Sequence, residues 1–185
     1  MNMTLLRKSL TTPQIDAINR RLDDSEHLLE QTLTEVRTVM ADLRPAELDD
    51  FGLFKALMYF ANSAGERAGF RVEGHDDDYD GTLSVGAKTT FYRIGQEAVT
   101  NVAKHARARC LTLRLHSDAD DVTLLLEDDG CGLGQRAPDA RFGRGLLGMR
   151  ERAESLGASL VVEDRPTGGA RVQLTMPRNL GKEPE

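Results

Sequence analysis

Tryptophan is missing from the 185 residues, aromatic side chains make up only 5% of them, and cysteine occurs twice, as Cys110 and Cys131. A hydrophobic fraction of 39% with so few rings suits a soluble chain with a modest core. The two cysteines lack CxxC spacing and have no histidine beside them in a ligand pattern. That excludes a disulfide framework or structural zinc and fits a reducing compartment. Basic residues are in deficit, with 24 Lys and Arg against 30 Asp and Glu for a net charge of −6. No nucleic-acid surface is expected, because phosphate neutralisation needs clustered cations. Long apolar runs are absent as well. None approaches the roughly 20 residues that cross a bilayer, and the first ten residues lack the apolar centre of a signal peptide. No direct membrane contact is expected of this chain, and its location is read as cytoplasmic. The length allows one full domain plus a smaller piece.

What is present begins with a long helical pattern. Over 13–44, Ile15, Ile18, Leu22, Leu29, Val36, Val39 and Leu43 recur at alternating spacings of three and four, with Ser25 and Thr32 at the gaps. Leu33 and Met40 widen the stripe into a bundle face. Thr12 can cap this helix, Pro13 suits its first position, and Pro45 ends it near Arg44. Met3, Leu6 and Leu10 read as the tail of an earlier helix, with the turn of a helical hairpin at 9–12. Such a stripe needs a partner helix, for instance from a second copy. After a link over 44–53, a helix is expected at 53–68 and strands at 69–74 and 81–84. Another helix is expected at 85–105, with strands at 110–116, 122–127, 158–163 and 170–176. Helices that interleave with a mostly hairpin-connected sheet predict an α/β two-layer sandwich. The acidic run Asp76-Asp77-Asp78-Tyr79-Asp80 lacks the Gly and terminal Glu of a calcium loop and reads as a solvated turn.

Three motifs can carry chemistry. On the helix at 85–105, Glu97, Asn101 and His105 stand at i, i+4 and i+8, so one face stacks them, with Lys104 alongside. A carboxylate and an amide oxygen one turn apart suit Mg²⁺, which takes few protein oxygens and shares the rest with water and phosphate. An ordinary polar helix face is the competing reading. Next, Asp128-Asp129-Gly130-Cys131-Gly132 ends an apolar strand abruptly. A carboxylate there can accept from an exocyclic amine such as N6 of adenine, and the glycines allow close approach. The same letters also make a common strand-ending turn. Third, Gly143-Arg144-Gly145-Leu146-Leu147-Gly148 matches GxGxxG, but polar loop-like residues precede it and it comes late in the chain. Dinucleotide binding is therefore rejected, and no GxxxxGK[ST] occurs either. What remains is a mobile glycine loop whose amides, with Arg141 and Arg144, can hold phosphates.

In that order the three motifs resemble the N, G1 and G2 boxes of the histidine-kinase ATP-binding domain, within the superfamily shared with gyrase, Hsp90 and MutL. The phrase Asp42-Leu43-Arg44-Pro45, followed by Leu48-Asp49-Asp50-Phe51-Gly52-Leu53, is similar to the junction in the nitrate-sensor and DesK-like subfamily. The resemblance implies a Bergerat-type ATP-binding fold with a mixed, mostly antiparallel sheet over 47–178. It also implies a partial dimerisation and phosphotransfer hairpin over 1–46 and a polar tail over 179–185. Asn101 would ligate Mg²⁺, and Glu97 would support the metal or its water as the catalytic carboxylate. Lys104, His105 and Arg144 would neighbour the phosphates. Asp128 would read the adenine in a pocket shaped by Gly130 and Gly132. Gly143, Gly145, Leu146 and Gly148 would form the lid, and Thr167-Gly168-Gly169 the pocket floor.

A departure from the subfamily concerns the phosphoacceptor. None of the histidines stands in the Glu-[Leu/Ile]-His-Asp pattern, and His27 has Glu26 before it but Leu28 after it. The first helix of the hairpin is thus expected to be missing. The resemblance implies a chain that binds ATP and Mg²⁺ without phosphorylating itself. In the intact sensor, a histidine on the missing helix would receive the γ-phosphoryl and relay it to a response-regulator aspartate, and the hairpin would form a homodimer. The chain would then be the cytoplasmic part of a signal-transduction kinase, membrane-bound or not. A regulatory adaptor acting by protein contact and an anti-sigma-type serine kinase are the alternatives on the same fold.

Overall fold

The alternating leucines of 110–116 and 122–127 become the centre of a five-stranded sheet in the computed structural model, which describes residues 46–77, 79, 81, 83–134 and 140–178 together with Arg21 and Ser25. In chain order the elements are α1 (Ala46–Ala68), β1 (Arg71–Asp77), α2 (Val85–Asn101), a π-helical turn (Val102–Ala106), β2 (Cys110–Ser117), β3 (Asp121–Asp128), α3 (Ala140–Ser155), β4 (Ser159–Asp164) and β5 (Ala170–Pro177). The chain divides at Arg44–Pro45 into two units, and all of these elements belong to Pro45–Glu185. The helix expected over 13–44, the hairpin turn before it and His27 lie outside the described residues. Only Arg21 and Ser25 in that stretch are described; both are helical, and the Ser25 hydroxyl donates to the Arg21 carbonyl over 2.7 Å.

The strands run in the order β1-β2-β3-β5-β4. β1 and β2 are parallel and every other pairing is antiparallel. A parallel pair needs a crossover, and α2 with its π-turn supplies it. Leu111, Leu113, Leu115, Val122, Leu124, Leu126, Leu174 and Met176 all point to one face and are buried there. α1 packs on β1, α2 on β3 and α3 on β4, so the helices form the second layer of the sandwich. Where α1 crosses α2, Gly95 lets the helices meet, because a Cβ there would stand 2.5 Å from Leu57 Cδ2.

Several boundaries differ from expectation, each for a local reason. The described residues of 81–84 form no strand: Ser84 caps α2 by accepting from Ala87 N–H at 3.2 Å, so they serve helix entry. β1 instead runs on through Asp76 and Asp77, the first two residues of the acidic run, because the parallel register with β2 continues to Asp77↔His116. Arg114 Nη1, 3.1 Å from Asp77 Oδ2, offsets part of the charge. The link after Pro45 is helical from Ala46, with a break at Gly52, whose φ of 77° lies in the left-handed region. That break lets Leu48 and Leu53 both bury. The glycine cluster is not a loop, since α3 begins at Ala140 and takes Gly143, Gly145 and Gly148 into its interior. Leu146, Met149 and Ala153 repeat at helical spacing and pack against the core, which overrides the weak helix propensity of the three glycines.

Candidate functional site

Burying a polar side chain is costly unless it is paired or used. Among the described residues only Asn101, Ser117 and Asp128 are buried polar or charged side chains. Two of these are the residues singled out above. They face one narrow cavity from different elements, Asn101 from the end of α2 and Asp128 from the end of β3. Leu146 and Met149 of α3 close it on one side, and Leu111, Leu126, Val162 and Val172 of the sheet form the floor. Its volume is about 20 Å³, room for roughly one water.

The first two motifs are locked together beneath this cavity. α2 does not continue to His105 as expected. It ends at Asn101, widens into the π-turn, and stops at Arg107 in a left-handed conformation with φ of 52°. The Ala106 carbonyl thereby accepts from Cys131 N–H at 2.9 Å. The Cys131 thiol donates to the His105 carbonyl over 3.4 Å. Gly130 passes so close to Ala106 that a Cβ would overlap its carbonyl oxygen. Lys104 is exposed and His105 half-buried on the π-turn. Single-turn π-segments inside helices recur at functional sites, and no periodicity in the letters announces one.

The twin aspartates take different tasks. Asp128 Oδ1 accepts from Gly130 N–H at 2.8 Å, which shapes the turn while the carboxyl lines the cavity. Asp129 Oδ1 accepts from Arg109 N–H at 2.7 Å and Cys110 N–H at 2.9 Å, tying the start of β2 to the end of β3. Its partial burial alone would raise the carboxyl pKa. Donation by Cys110 and Arg109, its own amide and the Arg71 guanidinium outweigh that and hold it below the ordinary value. A folded pKa below the unfolded one means stability that is present above an unfolded value of about 3.9 and lost as pH falls through the lower folded value. Asp129→Asn should therefore flatten the acid limb of the thermal-stability profile below about pH 4, measured by circular dichroism melts. An unchanged acid limb would contradict this role.

The third motif meets the first directly. A Cβ on Gly145 would overlap Glu97 Oε1, so α3 rests its second turn on that carboxylate. The side chains of Arg141 and Arg144 lie outside the described residues. Gly143 is exposed with open space around it, and Gly148 faces Arg152. Thr167 and Gly168 are exposed at the β4–β5 turn, away from the cavity lining, whereas Gly169 is buried against Asp128. Two residues that sequence reasoning passed over belong to the same neighbourhood. Asp164 Oδ1 accepts from Leu133 N–H at 2.5 Å, and Arg165 Nη1 donates to the Asp128 carbonyl over 2.7 Å. Neither stands in a motif, and only the hairpin geometry brings them here.

Among the described residues, no three His, Cys, Asp or Glu side chains converge as an all-protein metal cage. The Glu97 and Asn101 oxygens, one helical turn apart, fit a hard cation that takes one or two protein ligands.

A family profile described as "Histidine kinase-, DNA gyrase B-, and HSP90-like ATPase" matches residues 86–180. The signal transduction histidine-protein kinase/phosphatase UhpB of Salmonella typhimurium is 33% identical over 170 residues, covering 89% of this chain and 33% of that protein. The corresponding DegS of Brevibacillus brevis is 28% identical over 164 residues, covering 88% of this chain and 42% of its own. The chain thus spans between about a third and a half of the length of these curated relatives. Among solved structures, the Erythrobacter litoralis EL346 blue-light activated histidine kinase superposes with a TM-score of 0.62 at 20% identity. That match covers 94% of this chain and 66% of the other, and it shows a shared fold. Among the described residues no helix is long and apolar enough to cross a membrane.

Proposed function

Since the chain belongs to the histidine kinase-, DNA gyrase B- and HSP90-like ATPase family, we propose that it is the ATP-binding catalytic part of a two-component sensor histidine kinase. In the intact protein the γ-phosphoryl of ATP would pass to a histidine imidazole on a bundle helix, releasing ADP. A response-regulator aspartate would then take it up. The observation that carries this reading is the convergence of buried Asn101 and Asp128 on one cavity under α3. A regulatory adaptor would gain nothing from two buried polar groups aimed at a cavity.

The roles follow from chemistry and position. The Asp128 carboxylate accepts from the purine amine, and Gly130 and Gly132, packed against Ala106 and Asp164, shape the loop that follows it. Glu97 and Asn101 would hold Mg²⁺, which would supply neutralisation of phosphate charge. Lys104 and His105 lie one turn beyond, on the phosphate side. Phosphoryl transfer asks the protein for positioning and charge stabilisation more than covalent chemistry. A cavity of about 20 Å³ does not admit a purine, so the first turns of α3 shift when nucleotide enters. The three glycines make that motion inexpensive, each weakening a helix by about 1 kcal/mol relative to alanine. Residues 47–178 form this catalytic domain, residues 1–46 supply part of the dimerising hairpin, and 179–185 a polar tail.

Calorimetric titration of ATP into the chain tests the reading. One site per chain is expected, weakened about tenfold or more when EDTA removes Mg²⁺, the scale of losing one phosphate-neutralising cation. Incubation with γ-labelled ATP should leave no acid-labile phosphate on the chain, because no histidine stands in the acceptor pattern. A folded chain that takes up no ATP would overturn the proposal.

A further inference from the structure

The β3–β5 ladder stops one residue short of the site. Its last pair is Glu127↔Arg171, so on that side the peptide of Asp128 is not set by strand pairing. Arg165 takes over there. Its Nη1 donates to the Asp128 carbonyl over 2.7 Å, and its Nε lies 3.4 Å from Glu127 Oε1. Glu127 is in turn gripped by Arg171, at 2.8 Å from Nε and 2.7 Å from Nη2. The turn that carries Arg165 is itself closed, by Arg165 N–H to the Gly169 carbonyl at 2.9 Å and Gly168 N–H to the Arg165 carbonyl at 3.0 Å. One residue earlier, Asp164 Oδ1 accepts from Leu133 N–H at 2.5 Å. It leaves no room for more than hydrogen on Gly132, where a Cβ would stand 2.5 Å from the same oxygen. The segment from Asp128 to Leu133 is therefore held at both ends by consecutive residues of the neighbouring hairpin.

We propose that Asp164 and Arg165 are positioning residues for purine recognition, a two-point brace that sets where the Asp128 carboxylate stands in the cavity. This rests on the reading of Asp128 as the purine contact. Arg165 fixes the peptide from which that carboxylate projects, and Asp164 fixes the exit of the loop. The guanidinium suits its post because it can hold a carbonyl and a carboxylate at once, which a lysine ammonium does with less geometric control. The brace acts on base recognition rather than on the phosphates, so its loss changes which nucleotide is preferred.

The test compares ATP with purine riboside triphosphate, which lacks the 6-amine, by calorimetry on the full chain, with melting curves taken in parallel. Arg165→Met should weaken ATP about tenfold, the scale of one lost charge-assisted hydrogen bond, while the amine-free nucleotide changes by less than about twofold. Arg165→Lys should recover part of the ATP affinity. Arg171→Met removes the other partner of Glu127 yet leaves the Asp128 carbonyl bond, and should stay within about twofold of the parent. In an Asp128→Asn background Arg165→Met should add no further loss, the signature of two residues acting through one contact. Should Arg165→Met fold poorly, Asp164→Ala gives an independent route. It should also weaken ATP selectively, and Asp164→Asn, which keeps the acceptor oxygen, should restore it. Equal losses for both nucleotides, equal losses in Arg165→Met and Arg171→Met, or parent-like ATP binding in both Arg165→Met and Asp164→Ala would overturn the brace. A parent chain that does not distinguish the two nucleotides would instead sink the Asp128 reading on which the brace rests.

Discussion

Asp128→Asn should reduce ATP affinity by about 100-fold or more, while the fold survives. The carboxyl is buried and already spends one lone pair of Oδ1 on Gly130 N–H. An asparagine oxygen keeps that bond, so the turn should persist. The amide nitrogen then faces the purine, donor against donor, where a carboxylate oxygen accepted. A site built to hydrogen-bond a substrate amine discriminates steeply once its buried partner is wrong, because neither group can turn to water. The same geometry predicts a change of preference. Inosine triphosphate presents an oxygen where ATP presents an amine, so the variant's ATP-to-inosine-triphosphate affinity ratio should fall well below the parent's. Titration calorimetry on both proteins measures it, with far-ultraviolet circular dichroism and a melt to establish folding. A variant that binds ATP within about twofold of the parent would remove Asp128 from the site.

The second large effect belongs to a residue with no side chain. Gly169→Ala should lower stability by about 3 kcal/mol, of which about 1–2 is the left-handed backbone and the rest the forced shift of a packed neighbour. Gly169 sits at φ of 84°, and a Cβ there would overlap the carbonyl oxygen of Asp128. The atom in the way is backbone, so relief requires moving the strand end itself. Gly168 is the control within the same turn. Its φ is 94° but the space around it is open, so Gly168→Ala should show the backbone cost alone, about 1–2 kcal/mol. Chemical denaturation of the pair separates the two contributions, and equal losses would show that the contact with Asp128 is not what makes Gly169 necessary. Gly169→Ala should also weaken ATP more than Gly168→Ala does, since it displaces the peptide that bears the purine contact.

How much of this was legible in the letters depended on whether a feature is local. The alternating leucines of β2 and β3 and the apolar spacing of α2 needed only the period of a strand or a helix; the two strands are present with ends shifted by one residue, and α2 is present but gives way to the π-turn four residues early. Where a second element intervened, periodicity misled. Residues 81–84 look extended but Ser84 caps α2, and Asp76 and Asp77 look like a turn but are held in β1 by pairing with β2. The glycine cluster read as a loop because three glycines weaken a helix. Burial of Leu146, Met149 and Ala153 decides otherwise. The site followed the same rule. Glu97 and Asn101 share a helix face by spacing alone, and Asp128 was visible as a carboxylate at an abrupt strand end. Asp164 and Arg165 were invisible, because nothing in Asp164-Arg165-Pro166 signals a partner more than thirty residues away.

By itself, then, the sequence determined the class of fold, the order of the three motifs and the residue types able to hold a cation and a purine amine. These follow from side-chain chemistry repeated at fixed spacing, which the chain carries wherever it folds. Only the tertiary structure decided that the second aspartate of the pair ties two strands, that α3 rests on Glu97, and that a neighbouring hairpin braces the purine-reading loop. Those outcomes depend on sheet register and on contacts between segments far apart in the chain. A register is chosen by the whole core at once, as the burial of β2, β3 and β5 on one face requires, and no short stretch of letters contains it.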